Sequence, residues 1–422
     1  MKITKIIKKY GFWKTLQKGL GGIFFVLFRP IILAYINRFM PVDDKKLLFL
    51  SKPSFSDNSK ALFLYMVKLH PEYNYIWLID NDIERPSFDY MNVSYYMTKS
   101  NWHKGYPLKT IVQVLTSKYL FFTHNSPVEF LPKRPEQFVV NLWHGCGYKG
   151  QIKREWSWIE KKKCDIALVP GPLFVKTKSQ CWGVGDDIIK PIGYPRYDLL
   201  KTDNDHGKKF ASDLKRDNSL LIIWMPTFRQ SLSGDYPEAH MGKEYDLPLL
   251  SNDDDLIKLN EICSKKKISL CIKRHPSQEK YRGEELSLSN ITFIDNLSLV
   301  KADTDLYELL RYTDALISDY SSVSVDYLLL NRPIAFALDD YNQYLLARGF
   351  VFDEPLKYMP GHHLFVMKDL IQFFCDVESN CDLYANNRIE MMSIMHNPCD
   401  NYCERVWDCV VSLSTVHKEA RN

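Results

Sequence analysis

Among its 422 residues the chain has no Cys-x-x-Cys pair, no acidic residue in the first 40 positions and no unbroken apolar run of membrane-spanning length. Each absence excludes something. The ten cysteines (Cys146, Cys164, Cys181, Cys263, Cys271, Cys375, Cys381, Cys399, Cys403 and Cys409) are scattered, which speaks against a disulfide framework and for reduced thiols in the cytoplasm. His396, Cys399 and Cys403 resemble metal ligands superficially, but the cysteine spacing is also that of one helical turn, and buried thiols are the simpler reading. The acidic run Asp253-Asp254-Asp255 precedes LIKLNEIC and reads as the charged first turn of a helix. No metal or other cofactor is expected.

The apolar stretch LGGIFFVLF at residues 20–28 is cut by Arg29 and Pro30, well short of the about 20 residues a spanning helix needs. No small-residue cleavage site follows, so a removed signal peptide is not expected. The same segment carries Lys2, Lys5, Lys8, Lys9, Lys14, Lys18, Arg29 and Arg38. Basic side chains meeting anionic headgroups while Ile, Phe, Trp and Leu enter the acyl boundary make residues 1–40 a membrane-associating amphipathic segment. The alternative is a helix packed on the body of the protein. The expected location is peripheral, on the cytoplasmic face of the membrane. A net charge of +4 is too small to imply nucleic acid.

What is present is the composition of a folded protein, 45% hydrophobic and 25% charged, in a chain long enough for two cores. From Lys46 onward, strand-like runs (KLLFLS, YNYIWLID, NVSYYM, KYLFFTH, QFVVNLW, DIALVP, IIKPIGYP) precede a second series (LLIIWMP, ISLCIKRHP, ITFIDN, DALISDY, PIAFALDD). Helical patterns such as DLIKLNEICSKK, LYELLRYT and VSVDYLLL lie between the strands of that series. Alternation of this kind predicts an α/β fold with two doubly wound parallel sheets. The expected division is residues 41–200 and 215–385, separated by the polar stretch KTDNDHGKKFASDLKRDNS. Residues 386–422 are expected to form a C-terminal helix packing back toward the first domain.

Ligands of such sheets bind beyond the carboxyl ends of the strands. Polar groups collect at those ends: Thr123-His124-Asn125, His144, Thr227 to Arg229, Lys273 to His275, and Asp319 to Ser322. His144, in NLWHGCGYKG, could take a proton from an alcohol, and Gly145, Gly147 and Gly150 would bring main chain close to a ligand. In ISDYSSVSVDYLLLN a strand, a hydroxyl-rich turn and a helix beginning near Ser322 suggest a phosphate site with Ser321, Ser322 and Asp319. Arg229, Thr227, Lys273 and His275 supply further donors and positive charge.

These motifs resemble the CDP-glycerol glycerophosphotransferase family, the enzymes that build teichoic acids and related polyol-phosphate capsules. The resemblance rests on Trp143-His144-Gly145 with Lys149, on Gly193-Tyr194-Pro195-Arg196-Tyr197-Asp198, on Pro226 to Arg229, on Lys273 to Pro276, and on SDYSSVSVDYLLLNRPIAF with ARGFVFD. It spans roughly residues 115–365. It implies a fold similar to the two-domain GT-B transferases, and metal-independent transfer of a polyol phosphate from a CDP-activated donor to an acceptor hydroxyl with release of CMP. It implies His144 as general base, and His275, Arg229, Ser321 and Ser322 around the donor's diphosphate. The donor side would also include Thr227, Lys273 and Asp319. Gly145, Cys146, Lys149, Asn125 and Arg196 would lie toward the acceptor, a lipid-linked or polymeric saccharide or polyol phosphate. Cys146-Gly147-Tyr148 replaces the family's usual threonine-proline-leucine, which points to acceptor choice at these positions. CDP-glycerol is the leading donor; CDP-ribitol, a nucleotide sugar used by a GT-B glycosyltransferase, and an inactive membrane-bound scaffold are the alternatives.

Overall fold

The computed structural model describes residues 30–419 except 81–89, 100–104, 130, 151–163, 218, 228–244, 246, 276–277 and 279–280; side chains are described as far as residue 416. Most of the N-terminal basic segment therefore lies outside the described residues. Among the described residues no helix is long and apolar enough to cross a membrane.

Seven strands form the first sheet: β1 (Asp43–Leu50), β2 (Asn74–Ile79), β3 (Val93–Met97), β4 (Ser117–Phe122), β5 (Phe138–Asn141), β6 (Ile166–Leu168) and β7 (Ile189–Lys190). Their order is β3-β2-β1-β4-β5-β6-β7, and every pairing is parallel. The second sheet contains β8 (Leu220–Trp224), β9 (Ile268–Lys273), β10 (Ile291–Ile294), β11 (Ala315–Ser318), β12 (Ile334–Ala337) and β13 (His362–Leu364). Its order is β10-β9-β8-β11-β12-β13, again parallel throughout. Helices cover both faces of such sheets, so central strands read as continuous apolar runs, and all residues of β4, β5 and β9 are buried. Strand order reverses between β1 and β4 and again between β8 and β11. The crevices beside these reversals are where parallel sheets of this kind accept ligands.

Several local expectations are refined. The polar stretch at 201–219 is no bare linker: Asp205–Leu214 is a helix, with Asn204 Oδ1 accepting from Gly207 N at 2.7 Å. Its apolar side buries Ala211 and Leu214, and Gly207 packs so closely that a Cβ there would lie 2.9 Å from Glu308 O. IIKPIGYP forms only the two-residue β7, because Pro191 has no N–H to extend the ladder. VSVDYLLL is a helix over Val323–Tyr327 and a 3-10 turn over Leu328–Leu330, closed by Asn331 at φ 46°. β13 has no strand signal in the sequence, because HHL has no apolar periodicity. Asp253–Lys265 is helical from the first aspartate, capped by Asn252.

One apolar cluster unites residues of both sheets' helices and loops, including Tyr148, Tyr194 and Tyr197 with Tyr320, Val325 and Phe336. The helix Tyr402–Glu419 also joins it through Tyr402, Val406 and Val410. It lies against the first domain, where Asp198 accepts from the N–H groups of Tyr402 and Cys403 at 2.7 and 2.8 Å. The second domain adds its own cluster around Ile222, Trp224, Leu256 and Phe373.

Candidate active site

The loop after β5 is held from three sides. Asn58, in the helix Asp57–Leu69, donates its amide to Trp143 O at 2.8 Å and to Leu142 O at 3.2 Å. Trp143 takes a left-handed φ of 55°, and its Nε1 donates to Gly145 O at 2.6 Å. Arg196 donates to His144 O at 3.0 Å. Such clamping fixes the histidine backbone without using its imidazole.

The imidazole is anchored separately. His144 Nδ1 lies 3.3 Å from Thr123 O. A carbonyl can only accept, so this contact assigns the ring proton to Nδ1 and leaves Nε2 with its lone pair. The ring stacks on His124 at 4.2 Å, with 10° between planes, and against Trp143 at 4.1 Å. Burial, reinforced by the neighbouring His124, pushes its pKa down to about 3, so the ring is neutral.

The glycines beside it are places where the second domain approaches closely. At Gly145, φ 135°, a Cβ would fall 2.5 Å from Ser322 Oγ; at Gly147 it would fall 2.9 Å from the Ser322 main chain. Gly150 would meet Arg348 O at 2.5 Å, and its N–H donates to Gly349 O at 2.7 Å. Val351 N donates to Tyr148 O at 2.9 Å, and an isolated bridge pairs Lys149 with Phe350. Main chain of the first domain thus meets the second domain's own backbone there.

Cys146 and Tyr148 follow from this geometry. Cys146 is 1% exposed and contacts Tyr194 Oη at 3.3 Å, while Tyr148 donates to Tyr358 O at 3.0 Å. Of the three residues that depart from the family pattern, Gly147 and Tyr148 thus meet the second domain, while Cys146 packs within the first. Arg196 is likewise 2% exposed, forming ion pairs with Asp57 at 2.5 Å and with Asp326 of the second domain at 2.6 Å. Asp326 also accepts from Tyr197 and Tyr307, each at 2.5 Å.

On the second domain, Ser321 and Ser322 stand at the start of the Val323–Tyr327 helix, and the Ser322 side chain makes no capping bond. Its hydroxyl, beside Gly145, is not occupied by the helix it begins. Asp319 accepts from Thr227 N and Oγ1 at 2.8 and 2.6 Å, both residues being buried. That pair ties the ends of β8 and β11 across the strand-order reversal. Lys273 is buried, donates to Asn296 at 2.8 Å, and has its pKa pushed down by burial to about 8. Arg274 pairs with Glu284 and Asp295. His275, two residues beyond the end of β9, has a pKa near 3, lowered by burial and then by the charges of Lys149 and Lys273. Lys149 therefore lies within electrostatic reach of His275. Asn125 is exposed beyond β4. Arg229 lies outside the described residues.

Among the described residues no group of three His, Cys, Asp or Glu could hold a metal. His396 instead contacts Val325 O at 2.8 Å, and Cys403 contacts Pro195 O at 3.5 Å. Residues that no motif singles out are Asp57, Asn58, Tyr307 and Asp326. Their significance is a matter of contacts between distant segments, for which no local signal exists.

Comparison with known proteins gives a consistent result. The family described as CDP-Glycerol:Poly(glycerophosphate) glycerophosphotransferase matches residues 32–412. The teichoic acid ribitol-phosphate primase of Bacillus spizizenii is 29% identical over 336 residues, covering 74% of this chain and 77% of that protein. The teichoic acid poly(glycerol phosphate) polymerase of the same organism is 26% identical, covering 83% and 85%. The teichoic acid glycerol-phosphate transferase of Staphylococcus aureus is 26% identical, covering 81% and 85%. Among solved structures, the wall teichoic acid polymerase TagF shares the fold, with a TM-score of 0.70 at 20% identity over 96% of this chain and 98% of that one. With the two parallel α/β domains of a GT-B-like transferase and a family match along most of its length, the chain belongs to the CDP-glycerol:poly(glycerophosphate) glycerophosphotransferase family.

Proposed function

We propose that the chain transfers glycerol phosphate from CDP-glycerol to a hydroxyl of a lipid-linked or polymeric acceptor. The acceptor oxygen attacks the phosphorus that bears the glycerol, the bond from that phosphorus to the bridging oxygen breaks, and CMP leaves with that oxygen. The proton of the acceptor hydroxyl passes to His144 Nε2. The single observation that carries this role is the Nδ1 contact to Thr123 O, which aims the unprotonated nitrogen away from its anchor.

Ser321, Ser322, His275 and Arg229 are assigned to the donor's phosphates, with no metal ion; Lys149, expected toward the acceptor, is assigned with them because its charge reaches His275. Entry of a diphosphate next to His275 would raise that imidazole's pKa and let it share the developing negative charge. Purified protein incubated separately with CDP-glycerol and CDP-ribitol, with CMP release and product mass scored with and without EDTA, tests the donor and the metal. Sugar transfer without phosphate, or abolition of activity by EDTA, would refute this reading.

The ribitol reading is supported by the 29% identity to a ribitol-phosphate primase, and the same assay decides it. An inactive scaffold predicts that His144→Ala functions in cells as well as the wild type. Membrane attachment through residues 1–40 is supported at its described end, where the helix over residues 30–39 leaves Ile31, Tyr35 and Phe39 exposed at one-turn spacing while Ile36 is buried. Sedimentation of the chain with anionic vesicles, lost on deleting residues 1–40, is the expected result.

A further inference from the structure

Most buried cations among the described residues have conventional partners. Lys118 pairs with Asp44, Arg196 with Asp57 and Asp326, and Arg388 with Asp382; Arg134 donates to Met40 O and Lys273 to Asn296. Lys178 differs. It lies in the helix Leu173–Trp182, only 7% exposed, with neither an ion pair nor a hydrogen bond among the described residues. Its ammonium sits 4.7 Å from the Trp143 ring and 5.3 Å from the Trp182 ring, and the two indoles meet edge to face at 4.8 Å. Aromatic faces recover part of the hydration such a charge gives up, but they offer it no acceptor lone pair.

The position of this charge is specific. Trp143 immediately precedes His144 and packs on its ring. The positive field of Lys178 reaches the imidazole and the Cys146 thiol, disfavouring protonation of both. It is thus a cation beside the candidate base, on the first domain. An acceptor made of polyol phosphate carries its attacking hydroxyl and its own phosphate at opposite ends of a single polyol. A cation close to the base is placed to hold that phosphate while the hydroxyl meets Nε2.

We infer that Lys178 is a binding residue for an anionic phosphate of the acceptor, completing its shell of donors and charges only when the acceptor is present. This rests on the proposed polyol-phosphate transfer to an acceptor hydroxyl. The same chemistry could be presented by the donor's diphosphate, and the two sources are separable. A purely packing role would be met by the aliphatic stem and the indoles alone, which Lys178→Met largely preserves.

The test is calorimetric titration of the full chain with oligo(glycerol phosphate), with glycerol and, separately, with CDP, for wild type, Lys178→Met and Lys178→Arg. Loss of one charge-assisted contact is expected to weaken oligo(glycerol phosphate) binding about tenfold or more in Lys178→Met. CDP affinity should stay unchanged, and Lys178→Arg should remain close to wild type. Should Lys178→Met melt early, Lys178→Gln provides the same comparison. Unchanged oligo(glycerol phosphate) affinity, or wild-type binding no tighter than that of glycerol, overturns the inference. Weakened CDP binding alone overturns it in favour of the donor. Binding is measured without turnover; failure of wild type to release CMP from either CDP-polyol would instead overturn the functional reading.

Discussion

His144 and His275 both follow a buried parallel strand and both have pKa values near 3, yet their surroundings differ. His144 is enclosed by rings and a carbonyl: Trp143, His124 and Thr123 O fix its plane and its tautomer. After burial, the main causes of His275's neutrality are the cations Lys149 and Lys273. The first arrangement keeps a lone pair ready whether or not substrate is bound. The second is a deficit of negative charge, which an anionic ligand can fill. On the proposed mechanism, one wall serves proton removal and the other anion recognition.

The strongest way to break this contrast is to remove the imidazoles. His144→Ala should lower the turnover of CMP release by about 10²-fold or more without loss of fold. His275→Ala should act chiefly through the donor, weakening CDP binding measured by calorimetry. Equal effects on CDP binding in both variants would erase the distinction.

A comparably large effect is expected at the seam between the walls. Arg196→Leu leaves Asp326 buried without its cation, and loss of one partner of a buried pair costs about 3–5 kcal/mol. Denaturant unfolding should report it, and Asp326→Asn should fall in the same direction. Gly150→Ala, whose new methyl would meet Arg348 O, should also destabilise.

Next is pH. His124, His144, His275 and His396 all have folded pKa values below the ordinary 6.5. Below that value the unfolded chain binds more protons than the folded one, so stability falls as pH falls. The slope is on the order of 1.4 kcal/mol per histidine per pH unit at most. Melting temperature should therefore drop from pH 7 toward pH 5. Initial-rate kcat/KM, by contrast, should hold to about pH 5.5, because His144 is already unprotonated in the free protein. An acid limb centred at 6.5 would contradict the enclosed-ring description. The smallest expected effect is that of Thr227→Val, about 1–2 kcal/mol of stability from loss of the hydroxyl bond to Asp319.

Much of the frame could be read from sequence because parallel strands buried on both faces write themselves as apolar runs. LLIIWM, ISLCIK and ALIS became β8, β9 and β11 with small shifts in their ends. Polar residues following those runs marked the rim for the same reason. What sequence could not reveal was direction across space. WHGCGYKG looked like an open, flexible ligand loop, because glycine reports only that a Cβ is unwelcome, not which neighbour excludes it. Here the neighbours are Ser322 and Arg348. The bonds from Arg196 to Asp57 and Asp326 span 139 and 130 positions, and no periodicity encodes them. The helix Asp205–Leu214 was disguised by charges on its outer face.

The bridge between Lys149 and Phe350, with the flanking bonds at Gly150 and Val351, bears on how the molecule can move. A rocking of one lobe against the other that keeps these bonds must pivot close to them, and displacement grows with distance from a pivot. His144 lies only a few residues from it and has a short lever arm, whereas the far ends of both sheets have long ones. The two lobes could therefore sweep widely at their outer edges while the imidazole hardly changes its aim.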